Sequence, residues 1–290
     1  MPGVLYLVAT PIGNLEDITL RALRVLREAA VIAAEDTRRT AGLLAHYQVE
    51  TSMVSLHEHN ERDRVPQLLA RLRAGDAVAL VSDAGTPLVS DPGAALVTAA
   101  RAAGVRVESI PGASAVLAAL VSSGLAGDAF TFLGFPPAKA SARRAWLRAL
   151  AAEPRVVVFF EAPHRIVATL EALAEVCGDR EAAVGRELTK RHEEILTGRI
   201  RDLLGRIGDP RGEYTVVVSP GADAAPPEPM DDDEAWASFL DLTARGGLGR
   251  RDAVAALARR YGVPAREVYA ALERGKRAAT TPAARPPGGP

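Results

Sequence analysis

The stretch Val78–Gly93, VALVSDAGTPLVSDPG, constrains the fold more than any other part of the chain. An apolar run from Ala77 to Val81 breaks into Ser82-Asp83-Ala84-Gly85-Thr86-Pro87. It breaks again at Ser90-Asp91-Pro92-Gly93, then passes into an alanine-rich helical pattern. A buried strand that ends in a small-residue turn and feeds a helix is the unit of open α/β sheets. Such sheets hold ligands beyond the carboxyl ends of their strands. Gly85 permits a positive φ or a close backbone approach, and Thr86, before Pro87, is pushed towards extended geometry. One such stretch alone is as readily a plain tight turn as a ligand loop.

Two further stretches tip that balance. Val4–Ala9 reads as a buried strand broken by Thr10-Pro11-Ile12-Gly13-Asn14, ahead of a helix with Ile18, Ala22, Val25, Leu26 and Ala29 on one face. Val105–Ile110 is a strand, and Pro111-Gly112-Ala113-Ser114-Ala115 turns it into another helix. Val31–Ala34 and Met53–Leu56 are shorter strands, delivering Glu35–Arg39 and His57–Glu61 to the same edge. Neither G-x-G-x-x-G nor G-x-x-x-x-G-K-[ST] occurs, which counts against a Rossmann dinucleotide site and a P-loop. A second α/β unit opens at Phe130–Phe135. It runs through a helix at Ala140–Ala151, a strand at Arg155–Phe160, a turn at Glu161–Arg165 and a helix at Ile166–Val176. The close succession of Ala182–Gly185, Ile195–Thr197 and Glu213–Ser219 predicts a mixed sheet with antiparallel members.

At 290 residues the chain suits roughly two domains, since single cores seldom outgrow about 250–300 residues. No run approaches the roughly 20 apolar residues that span a bilayer, so a soluble protein without a membrane partner is expected. A single cysteine, Cys177, excludes an internal disulfide and suits a cytoplasmic location. The net charge of −1 is unevenly divided. Gly221–Glu234 holds six acidic residues and no basic one, whereas Asp241–Arg277 holds nine basic residues against four acidic. That asymmetry points to a polyanionic partner, with a solvated basic helix face as the plainer reading. The expected segments are an α/β domain over 1–114, a second over 115–220, and an acidic, proline-rich linker over 221–234. A basic helical module over 235–278 and a disordered tail over 279–290 follow. Two helices around Gly262-Val263-Pro264 resemble a helix-turn-helix, and an appendage that serves packing alone is an equal reading.

Seven stretches in order, LYLVATPIGNLEDITLRAL, AEDTRRT, LHEHNE, LVSDAGTPLVSDPG, IPGASA, FFEAPHR and GRELTKRHEE, resemble the tetrapyrrole-methylase superfamily. Within it they are most similar to the bacterial branch that methylates a cytidine ribose 2′-oxygen in 16S ribosomal RNA. The resemblance runs from Leu5 to about Ser219, and the C-terminal module also suits that branch. It implies an α/β, two-domain fold with S-adenosyl-L-methionine in the cleft between domains, a small-subunit ribosomal RNA substrate and a homodimer. Tetrapyrrole-type members carry G-x-G-x-G-D after the first strand, where this chain has Ala9-Thr10-Pro11-Ile12-Gly13-Asn14. Ala84-Gly85-Thr86-Pro87 replaces their G-G-D-P loop. Both departures argue against a porphyrinoid substrate. Carried over residue by residue, the family's cofactor contacts fall on Pro11, Ile12 and Gly13, on Ala84, Gly85 and Thr86, on Ser114 and Ala115, and on Phe160 and Glu161.

A ribose hydroxyl needs a general base or an orienting acceptor, worth about 10²–10⁴-fold. Asp36, at a strand end, is the first candidate, with a helix N-cap or a salt bridge to Arg38 or Arg39 as its alternative. Glu187 and Lys190 come second, the lysine acting as base only if its pKa is lowered. Glu161 either faces the sulfonium or only orders the following turn. His57 and His59 fall short of the three or four ligands zinc normally needs, so no metal is expected and RNA contact or hydrogen bonding is preferred. Phosphate contacts are expected from Arg38, Arg39, Arg62 and Arg64 and from Arg250, Arg251, Arg259 and Arg260. His57 or Phe135 is placed to stack on a base. The remaining alternatives are a tetrapyrrole methyltransferase and a non-catalytic RNA-binding assembly factor.

Overall fold

The computed structural model describes residues 3–221, 230–244, 247–261 and 263–280. The chain divides into two compact units, Met1–Gly221 and Ala222–Pro290.

The first unit begins with five parallel strands, β1 (Val4–Val8), β2 (Val31–Ala34), β3 (Met53–Ser55), β4 (Val78–Val81) and β5 (Arg106–Ile110), in spatial order β3-β2-β4-β1-β5. All four residues of β2 and of β4 are buried, as a sheet covered on both faces requires. On one face α1 (Leu20–Glu28) and α2 (Thr37–His46) bring Ala22, Val25, Leu26 and Leu44 against Val8, Ile32 and Ala79. On the other, α3 (Glu61–Ala74) and α4 (Ala94–Ala102) bring Leu68, Leu72, Leu96 and Ala100 against Leu5, Val31 and Leu80. The helix after β1 and the helix after β4 therefore leave on opposite faces although the two strands are neighbours. The crevice beyond their carboxyl ends is the switch point where open sheets bind ligands.

Apolar periodicity does not reveal α2 or α3. Each buries only two residues four apart, Thr40 with Leu44 and Leu68 with Leu72, and Pro66 lies inside α3. Local chemistry sets their ends instead. The Asp36 carboxylate accepts from Arg38 N at the start of α2, and Gly75, at φ 107°, closes α3 in the left-handed conformation glycine tolerates.

The second sheet is mixed, as expected: β6 (Phe130–Phe132), β7 (Val156–Glu161), β8 (Glu181–Arg186), β9 (Glu194–Arg199) and β10 (Tyr214–Val218) lie in order β6-β7-β10-β8-β9. Only β6 and β7 run parallel in it. Its outer face buries Val157, Phe159, Val184 and Val216 beneath α6 (Ala140–Ala151), α7 (Ile166–Val176) and α8 (Ile200–Leu204). Its inner face packs Val156, Val158, Ala183 and Val217 on Val116, Ala119 and Leu120 of α5 (Ala115–Ser122) and on Ile12 of the first lobe.

The described residues of the second unit form α9 (Asp232–Ala244), α10 (Arg250–Tyr261) and α11 (Ala265–Thr280) around Phe239, Val254, Leu257, Tyr261, Val268 and Leu272. The close packing of α11 on α9 needs Gly275, because a Cβ there would collide with the Asp232 carbonyl. Three helices form this core, matching the stripes at Glu234–Thr243, Arg250–Tyr261 and Ala265–Arg274 in the sequence. Asp232–Glu234, expected in the linker, are the first turn of α9, and residues 222–229 lie outside the described residues. α11 continues through Thr280, two residues into the expected tail; residues 281–290 lie outside the described residues.

Phe159 is fully buried beneath α6 and α7, edge-on to Trp146 with ring centroids 5.2 Å apart. Phe159→Ala should cost about 3–5 kcal/mol of folding stability, measured by urea unfolding; a loss below about 1 kcal/mol would contradict this packing.

Candidate active site

The three small-residue loops of the first lobe meet. Thr10 N donates to Gly85 O at 2.9 Å and Gly85 N donates to Thr10 O at 3.0 Å, an antiparallel bridge beyond the parallel ends of β1 and β4. The Thr10 hydroxyl donates to Ser82 O at 3.3 Å, and the Thr86 hydroxyl to Ala113 O at 3.4 Å in the third loop. Gly85 sits at φ +79°, and a Cβ there would lie 3.3 Å from Ile12 Cγ2. Ser114 caps α5, its side chain accepting from Leu117 N. The second lobe closes on this cluster, with Asn14 N donating to Thr189 Oγ1 at 3.0 Å. Gly13 lies so close to Lys190 that a side chain would collide with it.

Between the lobes lies a cleft of about 360 Å³, within the range of small-molecule sites. Ile12, Ala84, Thr86, Ser114, Ala115, Phe160 and Glu161 line it, seven of the ten expected cofactor contacts. The other three play different parts. Pro11 lines a smaller hollow of about 280 Å³ with Thr10, Arg39, Thr40, Ser82 and Asp83, Gly13 is packed on the second lobe, and Gly85 holds the bridge. Further lining comes from Asp91, Phe135, Pro163 and Gly212–Thr215. Thr215 shares the inner face of β10 with Val217, while Tyr214 points into the outer core. Nothing in the valine-rich, wholly buried sequence of β10 marks it as a cleft wall. Asp91, a carboxylate in a small-residue loop, did carry a signal.

Expected catalytic residues are placed as follows. Asp36 caps α2 and pairs with Arg38 at 2.8 Å; hydrogen bonds from the Arg38 side chain and backbone hold its carboxyl at about 2. A carboxylate so weakly basic is poorly matched to proton abstraction at neutral pH. Lys190 Nζ lies 2.9 Å from both Glu187 Oε1 and Glu213 Oε2. Burial works to lower its pKa, but those two carboxylates outweigh it and hold the ammonium above its ordinary range. The hydrogen bond from Lys190 in turn lowers Glu187. This triad braces the turn that carries Glu187 and Thr189 at positive φ, 50° and 66°. Glu161, 2% exposed, accepts from Thr169 Oγ1 at 2.6 Å and Ala162 N at 2.7 Å, and lies 3.2 Å from Arg165 Nε. Its carboxylate orders the turn after β7 from the wall of the cleft.

Among the expected RNA contacts, Arg38 and Arg39 stand exposed at the N-terminus of α2, Arg39 being 3.5 Å from Asp83. The His57 ring lies 6.1 Å from that of His59, and its Nδ1 is buried without a hydrogen-bond partner. In the second unit Arg251 is exposed, while Arg250 lies 3.9 Å from Glu273 and Arg260 3.1 Å from Glu234. The side chain of Arg259 falls outside the described residues.

Two covered sheets, joined through α5 with a cleft lined by strand-end loops of both, define a two-lobed α/β protein with a ligand-sized site between its lobes. The chain belongs to the tetrapyrrole (corrin/porphyrin) methylase family, which residues 4–204 match. It is 50% identical over 275 residues to "Ribosomal RNA small subunit methyltransferase I" of Micromonospora olivasterospora, covering 92% of this chain and 85% of that one. The protein of the same name from Synechocystis sp. is 45% identical over 271 residues, covering 92% and 96%. Among solved structures, uroporphyrin-III C-methyltransferase of Thermus thermophilus complexed with S-adenosylhomocysteine superposes with a TM-score of 0.54 at 25% identity. That match covers 74% of this chain and 97% of the other.

Gly85→Val places a branched side chain at a positive φ beside Ile12. It should leave the far-ultraviolet circular dichroism unchanged and weaken S-adenosylhomocysteine binding at least tenfold by calorimetry. Wild-type affinity in the variant would contradict the assignment of the cleft.

Proposed function

We propose that the protein transfers the methyl group of S-adenosyl-L-methionine to the ribose 2′-oxygen of a cytidine in 16S ribosomal RNA of the small subunit. The observation that carries this reading is the cleft itself, where the loops without the tetrapyrrole-type glycine and aspartate signatures converge. The identity to proteins named for small-subunit ribosomal RNA methylation extends past the two sheets into the C-terminal module. The donor supplies an activated methyl on a sulfonium, and its adenosyl group suits an apolar wall of Ile12, Val116, Phe135 and Phe160.

Methyl transfer is an in-line displacement, so the chain's contribution is alignment and exclusion of water. Backbone atoms of the bridged loops and the small side chains of Ala84, Ser114 and Ala115 leave room for the donor while fixing its position. Arg38 and Arg39, displayed at the same sheet edge, suit phosphate oxygens, with His57 nearby for a splayed nucleotide. Arg250 and Arg251 add phosphate contacts from the basic module. Among the described residues no helix is long and apolar enough to cross a membrane, in keeping with a cytoplasmic enzyme on ribosomal subunits. A homodimer accords with Leu117 and Val121 of α5, 51% and 71% exposed. Leu117→Glu with Val121→Glu should then convert a dimer to a monomer in sedimentation velocity, and an unchanged coefficient would exclude α5 from the contact.

Incubating unmodified 30S subunits with methyl-labelled S-adenosylmethionine should place the label on one cytidine ribose, resistant to alkaline cleavage. Label on a base, or none, would refute the reading. Arg250→Glu with Arg251→Glu should weaken RNA binding and lower the slope of log affinity against log salt by about 1–2.

A further inference from the structure

The segment between the two breaks of the central motif, Thr86–Gly93, is held in an unusual conformation. Leu88 and Ser90 both adopt positive φ, 72° and 70°, which non-glycine residues seldom do. Such conformations persist where surroundings impose them, and they cluster at functional sites. Here Gly93 N donates to Glu61 Oε1 at 2.7 Å, and Gly93 itself, at φ 113°, leaves no room for a side chain beside Leu80. Fixed at one end by Thr86 and at the other by Gly93, this loop carries Asp91 along the cleft wall.

We propose that Asp91 is the catalytic acceptor of the proton from the ribose hydroxyl that is methylated. This rests on the cleft binding the methyl donor and an RNA acceptor, as argued above. Asp91 lines the donor cleft together with Ile12, Thr86, Phe135 and Phe160. The charges of Glu35 and Asp83, just past the ends of β2 and β4, also act on it, and Asp83 faces Arg39. Asp91 therefore lines the donor's cleft close to the two carboxylates at the strand-end edge that carries Arg38 and Arg39. The cleft's other carboxylates are engaged: both oxygens of Glu161 accept hydrogen bonds at the turn, and Glu213 is paired with Lys190.

The groups facing Asp91 suit a base rather than a permanent ion. Burial pushes its carboxyl up to about 6, the Glu35 and Asp83 charges push the same way, and a hydrogen bond from the Ser82 hydroxyl opposes them. Burial and the neighbouring Asp83 likewise raise Glu35. Glu61 of α3 is bound to the Gly93 amide, and on the second lobe Arg165 is turned to Glu161 and to Pro136 O. A carboxyl near 6 is ionised at neutral pH and more basic than an ordinary aspartate. In the step, the O2′–H bond breaks towards an Asp91 oxygen as the O2′–methyl bond forms. The methyl–sulfur bond breaks with its electron pair left on sulfur, giving the neutral thioether, and protonated Asp91 then releases its proton to solvent.

Single-turnover methylation of 30S subunits at saturating donor, from pH 5 to 8.5, tests this with Asp91→Asn and Asp91→Glu beside the wild type. The wild-type rate should rise through an acid limb centred near pH 6. Asp91→Asn should be at least about 100-fold slower, within the contribution of a general base, and lose that limb. Its calorimetric affinity for S-adenosylhomocysteine should stay within about threefold of wild type, and Asp91→Glu should recover part of the rate with the limb restored. A variant asparagine enzyme that keeps the rate or the limb overturns the role, as does one whose slower turnover is accounted for by lost donor affinity. A wild-type enzyme that binds the donor but labels no RNA defeats the RNA reading first, and this role with it.

Discussion

Two backbone hydrogen bonds between Thr10 and Gly85 hold the rest of the site in place. They join the first and second loops after their strands have ended, at the point where the flanking helices diverge to opposite faces. The arrangement requires small residues on both sides: Gly85 because of its φ and its nearness to Ile12, Gly112 because a Cβ would lie 3.0 Å from Ala9 Cβ. Once the loops are joined, Ile12 projects from the first lobe into the inner core of the second, beside Val116, Leu188 and Val217. The same few residues thus close the ligand crevice and tie the two sheets together. Interiors are packed too tightly for one to shift without the other.

The charges around that crevice are sorted by depth. Glu35 and Asp91 are partly buried, while the guanidinium groups of Arg38 and Arg39 are largely exposed at the edge, with Asp36 and Asp83 between. A cationic donor favours acidic surroundings and a polyanionic acceptor favours the outer arginines, so the order of the charges matches the order of the two ligands. The donor loses its charge in the reaction. Carboxylates near it therefore favour the reactant over the product, which assists departure of the product more than bond formation. That consideration separates attracting a sulfonium from accepting a proton, and Asp91 can serve the second only by being positioned and basic.

Much of this was legible in the chain because each small-residue loop directly follows a short strand-like run, so strand ends and loops could be read together. The mixed second sheet followed from short strands in close succession. Legibility failed where structure depends on capping or on distant partners. α2 and α3 bury too little to show a stripe, and α9 begins inside what composition marks as a linker, because Asp232 and Glu234 find Arg274 and Arg260 more than twenty residues away. Asp36 stood at the right edge, but sequence could not decide between base and cap; the Arg38 side chain, two residues on, settles its geometry. Asp91 was visible as part of a break in the chain, and only the folded loop, with Leu88 and Ser90 at positive φ, shows it on the cleft wall.

The C-terminal module shows why a sequence-level charge count overstates a basic field. Arg274 makes two hydrogen bonds to Asp232, Arg260 reaches Glu234 and Ser238, and Arg250 approaches Glu273. The acidic first turn of α9 is thus folded back among the arginines. These pairs are solvent-exposed, and such pairs contribute about 0–1 kcal/mol each. A phosphate can therefore displace the carboxylate at little cost, whereas a neutral or weakly charged surface cannot. Internal pairing of this strength lowers the module's net field without removing its arginines from solvent.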